Sequence, residues 1–290
     1  MSRGWPAPAK INLFLAITGR REDGYHDLQT VFQLIGLCDR LRFHSIPGDR
    51  VERVGGLPGL PVEDDLAVRA AWLLKRRFGL REGVRIHVEK RIPAGGGLGG
   101  GSSDAATVLL ALNRLWRLGL SESELAELGL ELGSDVPFFV RGRNAWAEGR
   151  GEILHPLRLP RRWYLIVDPG QRVSTREAYA ASELTRNAPR RTIASFLRGE
   201  AVGNAFEAVV RARYPEVAAA LEWLRDFGVP GLSGSGGCVF LPLRTRRDAL
   251  AVARRCPPPW VAYVAPSLSR SPLLWRLSAE ERRHWGVAKR

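Results

Sequence analysis

Pro93-Ala94-Gly95-Gly96-Gly97-Leu98-Gly99-Gly100-Gly101-Ser102-Ser103-Asp104 is the stretch on which the reading of this chain turns. Six glycines fall within seven residues, between two segments of different period. Upstream, Val84-Arg85-Ile86-His87-Val88-Glu89 alternates apolar and polar residues, as a half-buried strand does. Downstream, Ala105, Ala106, Val108, Leu109 and Leu112 recur at helical spacing, and Ser102 and Ser103 stand where N-caps are favoured. Glycines leave backbone N–H groups accessible, and a helix N-terminus adds partial positive charge. The combination predicts an anion site, most often for phosphate. A flexible linker is the weaker reading, because linkers rarely join a strand to a helix so tightly.

Two common phosphate loops do not fit. A P-loop ends in Gly-Lys-Ser or Gly-Lys-Thr, and no lysine follows these glycines. Gly95, Gly97 and Gly100 do satisfy G-x-G-x-x-G. However, a dinucleotide-binding strand is buried on both faces and continuously apolar, whereas Val84 to Glu89 alternates. Lys90-Arg91-Ile92-Pro93 also separates strand from glycines, and no acidic residue closes a second buried strand about 20 residues on.

Composition narrows the class. The chain has 290 residues, 45% hydrophobic and 26% charged, which predicts one or two globular domains with ample core. No apolar run approaches the roughly 18 residues of a membrane span. No targeting segment is evident, so a cytoplasmic location is expected and a membrane role is not. Cys38, Cys238 and Cys256 are odd in number and far apart, which predicts reduced thiols and no metal site held by dedicated protein ligands. The net charge of +14 invites a nucleic-acid role. Yet the arginines are scattered and form no basic stripe interleaved with aromatics, so nucleic acid is not the expected partner. Positive charge equally steers a small polyphosphate.

Several further residues stand out along the chain. Ala9 to Ile17 alternates as a strand, with Ile11, Leu13 and Leu15 on one face and Lys10, Asn12 and Phe14 on the other. Taken alone, Lys10 reads as a solvent-facing lysine on a sheet. Asp23-Gly24 marks a turn, followed by Tyr25-His26. Leu28–Leu37 and Arg40–Ser45 read as separate strands, and Asp64–Phe78 as a helix. The helix after the glycines runs to about Leu118. A second covers Ser121–Leu132, with a Ser121/Glu124 capping box and Gly133 as its stop. Asp135 precedes Pro137 closely enough to read as a helix cap. His155-Pro156-Leu157-Arg158-Leu159-Pro160-Arg161-Arg162 is expected to divide two domains, 1–158 and 159–290. Beyond it, Trp163–Val167 reads as a strand, Ser174 as a cap, Phe206–Phe227 as helix broken at Pro215, Cys238–Leu243 as a strand, and Arg247–Arg255 as a helix.

The glycine stretch resembles the P-x-x-x-G-L-G-S-S-type motif of the GHMP small-molecule kinases, with Gly100-Gly101 inserted ahead of the serines. Pro8-Ala9-Lys10-Ile11-Asn12-Leu13 and Leu232-Ser233-Gly234-Ser235-Gly236-Gly237-Cys238-Val239-Phe240 agree with it. So do Arg21-Glu22-Asp23-Gly24-Tyr25-His26 and Gly133-Ser134-Asp135-Val136-Pro137-Phe138-Phe139, which resemble the branch whose acceptor alcohol carries a cytidine diphosphate. Five motifs in order are specific; about Thr185–Ala201 and the last twenty residues match poorly. The resemblance implies an α+β chain of two domains, an N-terminal one of ribosomal-protein-S5-like topology and a smaller ferredoxin-like C-terminal one. Return of the tail to the first domain stays open.

The implied activity is ATP-dependent phosphorylation of a small alcohol, with Mg²⁺. Lys10 and Asp135 are implied as catalytic residues, Asp135 as the base. Pro93 to Asp104 is implied to cradle ATP, with Ser102 and Ser103 offering hydroxyls. Lys90 and Asp65 are implied to lie near the nucleotide, although the family tends to carry Asn at the latter position. Asn12 and Phe32 are implied at the acceptor. Tyr25 and His26 are implied to hold a cytosine ring with Tyr179 across it, and Thr175 to lie beside them. Alternatives are a GHMP kinase for another alcohol, of homoserine or mevalonate type, and a basic RNA-binding protein.

Overall fold

The computed structural model describes residues 4–200 and 202–278. A long antiparallel hairpin forms its spine. Strand β1 (Trp5–Arg20) turns through Asp23-Gly24 into β2 (His26–Ile46), with Arg20 opposite His26 and Trp5 opposite Leu41. Next come β3 (Val51–Gly55), α1 (Leu66–Phe78) and β4 (Gly83–Glu89). The glycine stretch then leads into α2 (Gly100–Leu115), α3 (Glu122–Leu130), α4 (Val136–Arg141), β5 (Ala145–Glu148) and β6 (Ile153–Pro156). The second half contains β7 (Trp163–Asp168), α5 (Thr175–Ala180), α6 (Ile193–Leu197), α7 (Glu207–Arg213), α8 (Pro215–Arg225), β8 (Gly231–Leu232), β9 (Val239–Leu243), α9 (Arg246–Ala253) and β10 (Val261–Leu268). A further helical turn covers 272–278. The expected α+β class holds. No helix among the described residues is long and apolar enough to cross a membrane.

All ten strands join in one sheet, with β3-β4-β2-β10-β7-β9-β8 as its main path. The link between its halves is short: β10 meets β2 through Ser267 opposite Ile35 and Leu268 opposite Leu34. Two large cores flank that link. In the first, α1, α2, α3 and α4 bury Leu74, Leu109, Leu125 and Phe138 against Leu34, Leu41 and Ile86 of β2 and β4. In the second, α5, α7 and α8 bury Ala178, Val210 and Leu221 against Leu165 and Leu241 of β7 and β9. Chain order does not separate these cores. Leu15 and Ile17 of β1 belong to the second, and Leu273 to the first. A seam cluster joins Ile11, Ile35, Ile92 and Leu98 to Ile166, Cys238 and Phe240.

Several local expectations change for physical reasons. The helix after the glycines starts at Gly100 with Gly99 as N-cap, at φ 70° and ψ 21°, so Ser102 and Ser103 lie inside the first turn and cap nothing. A residue with positive φ is disfavoured for serine but open to glycine. The two strands expected on either side of Cys38-Asp39 are one, β2. Asp39 is a poor strand residue, but it is fully buried and accepts the backbone N–H groups of Arg91 at 2.6 Å and Ile92 at 2.8 Å. Asp135 is the N-cap residue of α4, yet its side chain makes no cap hydrogen bond and is directed elsewhere. The register of β1 shifts between Asn12 and Phe14. That bulge reverses the facing of the residues beyond it, so Leu15, not Phe14, shares a cavity with Lys10 and Asn12, while Phe14 stacks on Trp146. Other expectations match closely: the Ser121/Glu124 capping box forms, and Ser174 caps α5.

Candidate active site

The glycine stretch is held from both halves of the molecule. Gly95, Gly97 and Gly99 have φ of 70°, 73° and 70°, a backbone path that L side chains resist. Lys10 N–H donates to the Leu98 carbonyl at 3.0 Å, which ties the loop to β1. From the second half, Ser233 Oγ donates to the Gly97 carbonyl at 3.0 Å and Cys238 N–H to the Gly96 carbonyl at 3.2 Å. A Cβ on Gly97 would stand 2.0 Å from the Ser233 carbonyl oxygen. Two glycine turns, far apart in sequence, therefore pack backbone on backbone, and only glycine permits the approach.

Beside this loop lies a cavity of about 210 Å³. Lys10, Asn12, Phe32, Gly97, Gly99 and Asp135 line it on the side of the first half, and Thr175 and Tyr179 close it from α5. Lys10 is 4% exposed and carries no ordinary solvent role. Its Nζ donates to Asn12 Oδ1 at 2.7 Å, lies 3.5 Å from Asp135 Oδ2, and sits 5.1 Å from the centre of the Phe32 ring. Asn12 in turn donates to Thr30 Oγ1 at 2.8 Å, and Thr30 donates to the Phe14 carbonyl. This chain fixes the amide orientation of Asn12. The Asp135 carboxylate, paired on one side with the ammonium and open to the cavity on the other, can accept a proton there.

A second, larger cavity of about 730 Å³ adjoins the first, sharing Leu28, Ser134, Arg150, Thr175 and Tyr179 with it. Gly24, Tyr25 and His26 line its far side. His26 stacks on Tyr179 with ring centres 5.0 Å apart, and Tyr179 meets Phe206 edge-on. Tyr25 is 57% exposed with the Arg150 guanidinium 5.0 Å from its ring centre. The open aromatic surface is thus the Tyr25 face and the edge of the His26–Tyr179 stack, since His26 already covers one face of Tyr179. Burial pushes the Tyr179 hydroxyl up to about 12, helped by the Asp135 charge, so it remains a neutral donor. Burial lowers the His26 pKa, with the charges of Arg186 and Arg20 acting the same way, and keeps the ring neutral near pH 7. Its Nε2 is buried without a hydrogen-bond partner.

The remaining residues implied for the nucleotide lie outside both cavities. Ser103 is buried, with its hydroxyl donating to the Pro8 carbonyl at 2.7 Å. Lys90 bridges the carboxylates of Asp39 and Asp104, the latter at 2.7 Å. Asp65 caps α1 through Ala67 N–H and pairs with Arg53, both at 2.8 Å. Sequence reasoning missed Arg150 and Thr30. Arg150 sits between Gly149 and Gly151, both at positive φ; that Gly-Arg-Gly turn was the signal available. Nothing local marks Thr30, an inward-facing strand residue whose partner lies on the neighbouring strand.

No group of three or more His, Cys, Asp or Glu side chains converges among the described residues. Mg²⁺ often binds through substrate phosphates and water with one or two protein oxygens, so this donor set fits Mg²⁺ entering with a nucleotide.

Comparison with known proteins agrees with this geometry. Residues 65–143 match the GHMP kinases N terminal domain, and residues 184–260 the GHMP kinases C terminal domain. The 4-diphosphocytidyl-2-C-methyl-D-erythritol kinase of Halorhodospira halophila is 55% identical over 272 residues, covering 93% of this chain and 94% of that protein. The enzyme of the same name from Nitrosococcus oceani is 54% identical, covering 93% and 96%. A crystal structure of 4-(cytidine 5'-diphospho)-2C-methyl-D-erythritol kinase superposes with a TM-score of 0.78 at 37% identity, over 90% of this chain and 98% of that one. The mevalonate kinase of L. major, at 15% identity and a TM-score of 0.70 over 93% and 97%, shares the fold. This chain belongs to the GHMP kinases and, among them, to the 4-diphosphocytidyl-2-C-methyl-D-erythritol kinase family.

Proposed function

We propose that this kinase transfers the γ-phosphoryl group of ATP to the 2-hydroxyl of 4-diphosphocytidyl-2-C-methyl-D-erythritol. The observation that carries the reading is the pair of joined cavities: an aromatic one at Tyr25, His26 and Tyr179 opens directly onto the Lys10–Asp135 pair beside the glycine loop. The cytidine diphosphate half fits the first, with Arg150 at their junction facing its phosphates. The reacting hydroxyl then lies at Asp135.

Phosphoryl transfer asks a protein for positioning and charge stabilisation. The backbone N–H groups of Gly95 to Gly101 and the start of α2 hold the ATP phosphates. Asp135 accepts the hydroxyl proton as the oxygen attacks the γ-phosphorus; the bond to the bridging oxygen breaks and ADP leaves. Lys10 keeps Asp135 ionised and offsets charge on the transferred group. Asn12, held by Thr30, orients the acceptor. Mg²⁺ on the phosphates supplies further charge neutralisation when bound.

The test is an acceptor panel. ADP release is measured with the full substrate, free methylerythritol, its 4-phosphate, homoserine and mevalonate. The full substrate is expected to dominate, and Tyr25→Ala to weaken its use about 10-fold or more, as one base–aromatic stack is worth roughly 1–3 kcal/mol. Truncation should lower turnover as well as affinity, because remote binding energy positions the hydroxyl. Efficient phosphorylation of free methylerythritol would sink the cytidyl assignment.

A further inference from the structure

A third cavity lies away from the catalytic cleft and shares no residue with it. It encloses about 500 Å³ where the segment before β7, the end of β9 and the segment after β10 meet. Arg161, Arg162, Arg244 and Arg270 line it together with Trp163 and Trp275. None of the four arginines is paired with a carboxylate among the described residues. Four exposed guanidinium groups around one concavity make a patch of positive potential that attracts an anion. Trp275 is 67% exposed beside them, and a large apolar ring left open at a cavity rim marks a contact surface.

We propose that this cavity is a second ligand site, for a small phosphorylated compound carrying a flat ring, of the nucleotide class. Guanidinium forks match phosphate oxygens in pairs, and the open face of Trp275 matches a base. The volume falls in the range of small-molecule pockets, roughly 300–1,000 Å³. A single nucleic-acid strand fits less well: strand binding uses successive aromatic platforms along a groove, and this is one concavity with two tryptophans. The site also gives part of the +14 net charge a use that the catalytic cleft does not.

Isothermal titration of the full-length protein with ADP reads the site directly. Two ADP per chain are expected for the wild type, and one for Arg162→Glu/Arg244→Glu, whose kcat/KM for ATP stays at the wild-type value. Trp275→Ala should weaken only the second event, by about 10-fold. Inorganic pyrophosphate should displace it more weakly than ADP does. A stoichiometry of one for the wild type up to about 1 mM ADP, a limit corresponding to millimolar affinity, would overturn the proposal. So would two sites that persist in the double variant, or tighter binding of a 20-nucleotide RNA than of ADP at the same face. The readout is independent of the acceptor assignment.

Discussion

Lys10 and Asp135 come from the first strand and the mouth of α4, and the fold alone brings them to 3.5 Å. Lys10 reads locally as one more polar position on an alternating strand; in the structure it is 4% exposed, with Asn12, Phe32 and Asp135 as neighbours. Asp135 reads locally as a cap, and its lack of any cap hydrogen bond frees the carboxylate for chemistry. Asp135→Asn is therefore expected to cut single-turnover phosphorylation by about 10²–10⁴-fold, the usual worth of a general base, while the thermal midpoint stays close to wild type. Lys10→Met keeps the buried stem against Phe32 and should lose turnover to a similar extent. Near-normal turnover in either variant would remove its assigned role; unfolding of Asp135→Asn would restore the capping reading. His26 reads locally as part of a turn and enters the site only through the resemblance, and its stack on Tyr179 depends on a helix from the other half.

The glycine loop and the start of α2 depend on a buried charge cluster that no motif announced. Lys90 is shared by Asp39 and Asp104, and Asp104 Oδ1 has no hydrogen-bond partner. Burial pushes the Asp104 carboxyl up to about 8; the Lys90 charge opposes this and the Asp39 charge adds to it. A carboxyl whose folded pKa lies above its unfolded value of about 3.9 contributes stability below that value, and the contribution is lost as pH rises through the folded pKa. Asp104→Asn should therefore leave the thermal midpoint little changed at about pH 4 and raise it progressively, relative to wild type, between about pH 4 and about pH 8. A midpoint difference that shrinks with rising pH would reverse the assignment of which carboxyl carries the proton. The loop itself tolerates no side chain at its centre. A Cβ on Gly99 would lie 2.8 Å from the Phe139 ring and 3.2 Å from Lys10 Cγ, at a φ of 70°. Gly99→Val should cost roughly 1–3 kcal/mol in backbone strain and weaken a non-hydrolysable ATP analogue far more than the acceptor. Unchanged analogue affinity in the folded variant would mean that the phosphates bind elsewhere.

At the scale of the molecule, two cores share one sheet and exchange chain segments. Leu15 and Ile17 of β1 lie in the second core, Leu273 in the first, and Gly97 against Ser233 at the seam. A fragment ending at residue 158 would expose Leu15, Ile17 and Gly97 and would lose Leu273 from the first core and β10 from the sheet. It is expected to lack fixed tertiary structure by near-UV circular dichroism, and the full chain to melt in one transition seen alike by fluorescence and circular dichroism. A natively folded fragment would show that the seam is dispensable. What the sequence by itself determined was local in origin. The strand–glycine–helix unit, the Asp23-Gly24 turn, the Ser121 and Ser174 caps and the break at Pro215 arise from dihedral preference and capping chemistry within a few residues. Five short motifs were enough to mark the family, because each keeps its residues adjacent along the chain. The tertiary structure alone decided the bulge after Asn12, the continuity of β2 through Asp39, the Lys90 cluster, Thr30 behind Asn12, Arg150 at the junction of the cavities, and the seating of one glycine turn on another. Each of these rests on a buried polar group or a close backbone contact whose partner is remote in sequence. Such groups must be satisfied when water is removed, and only the folded chain determines by whom.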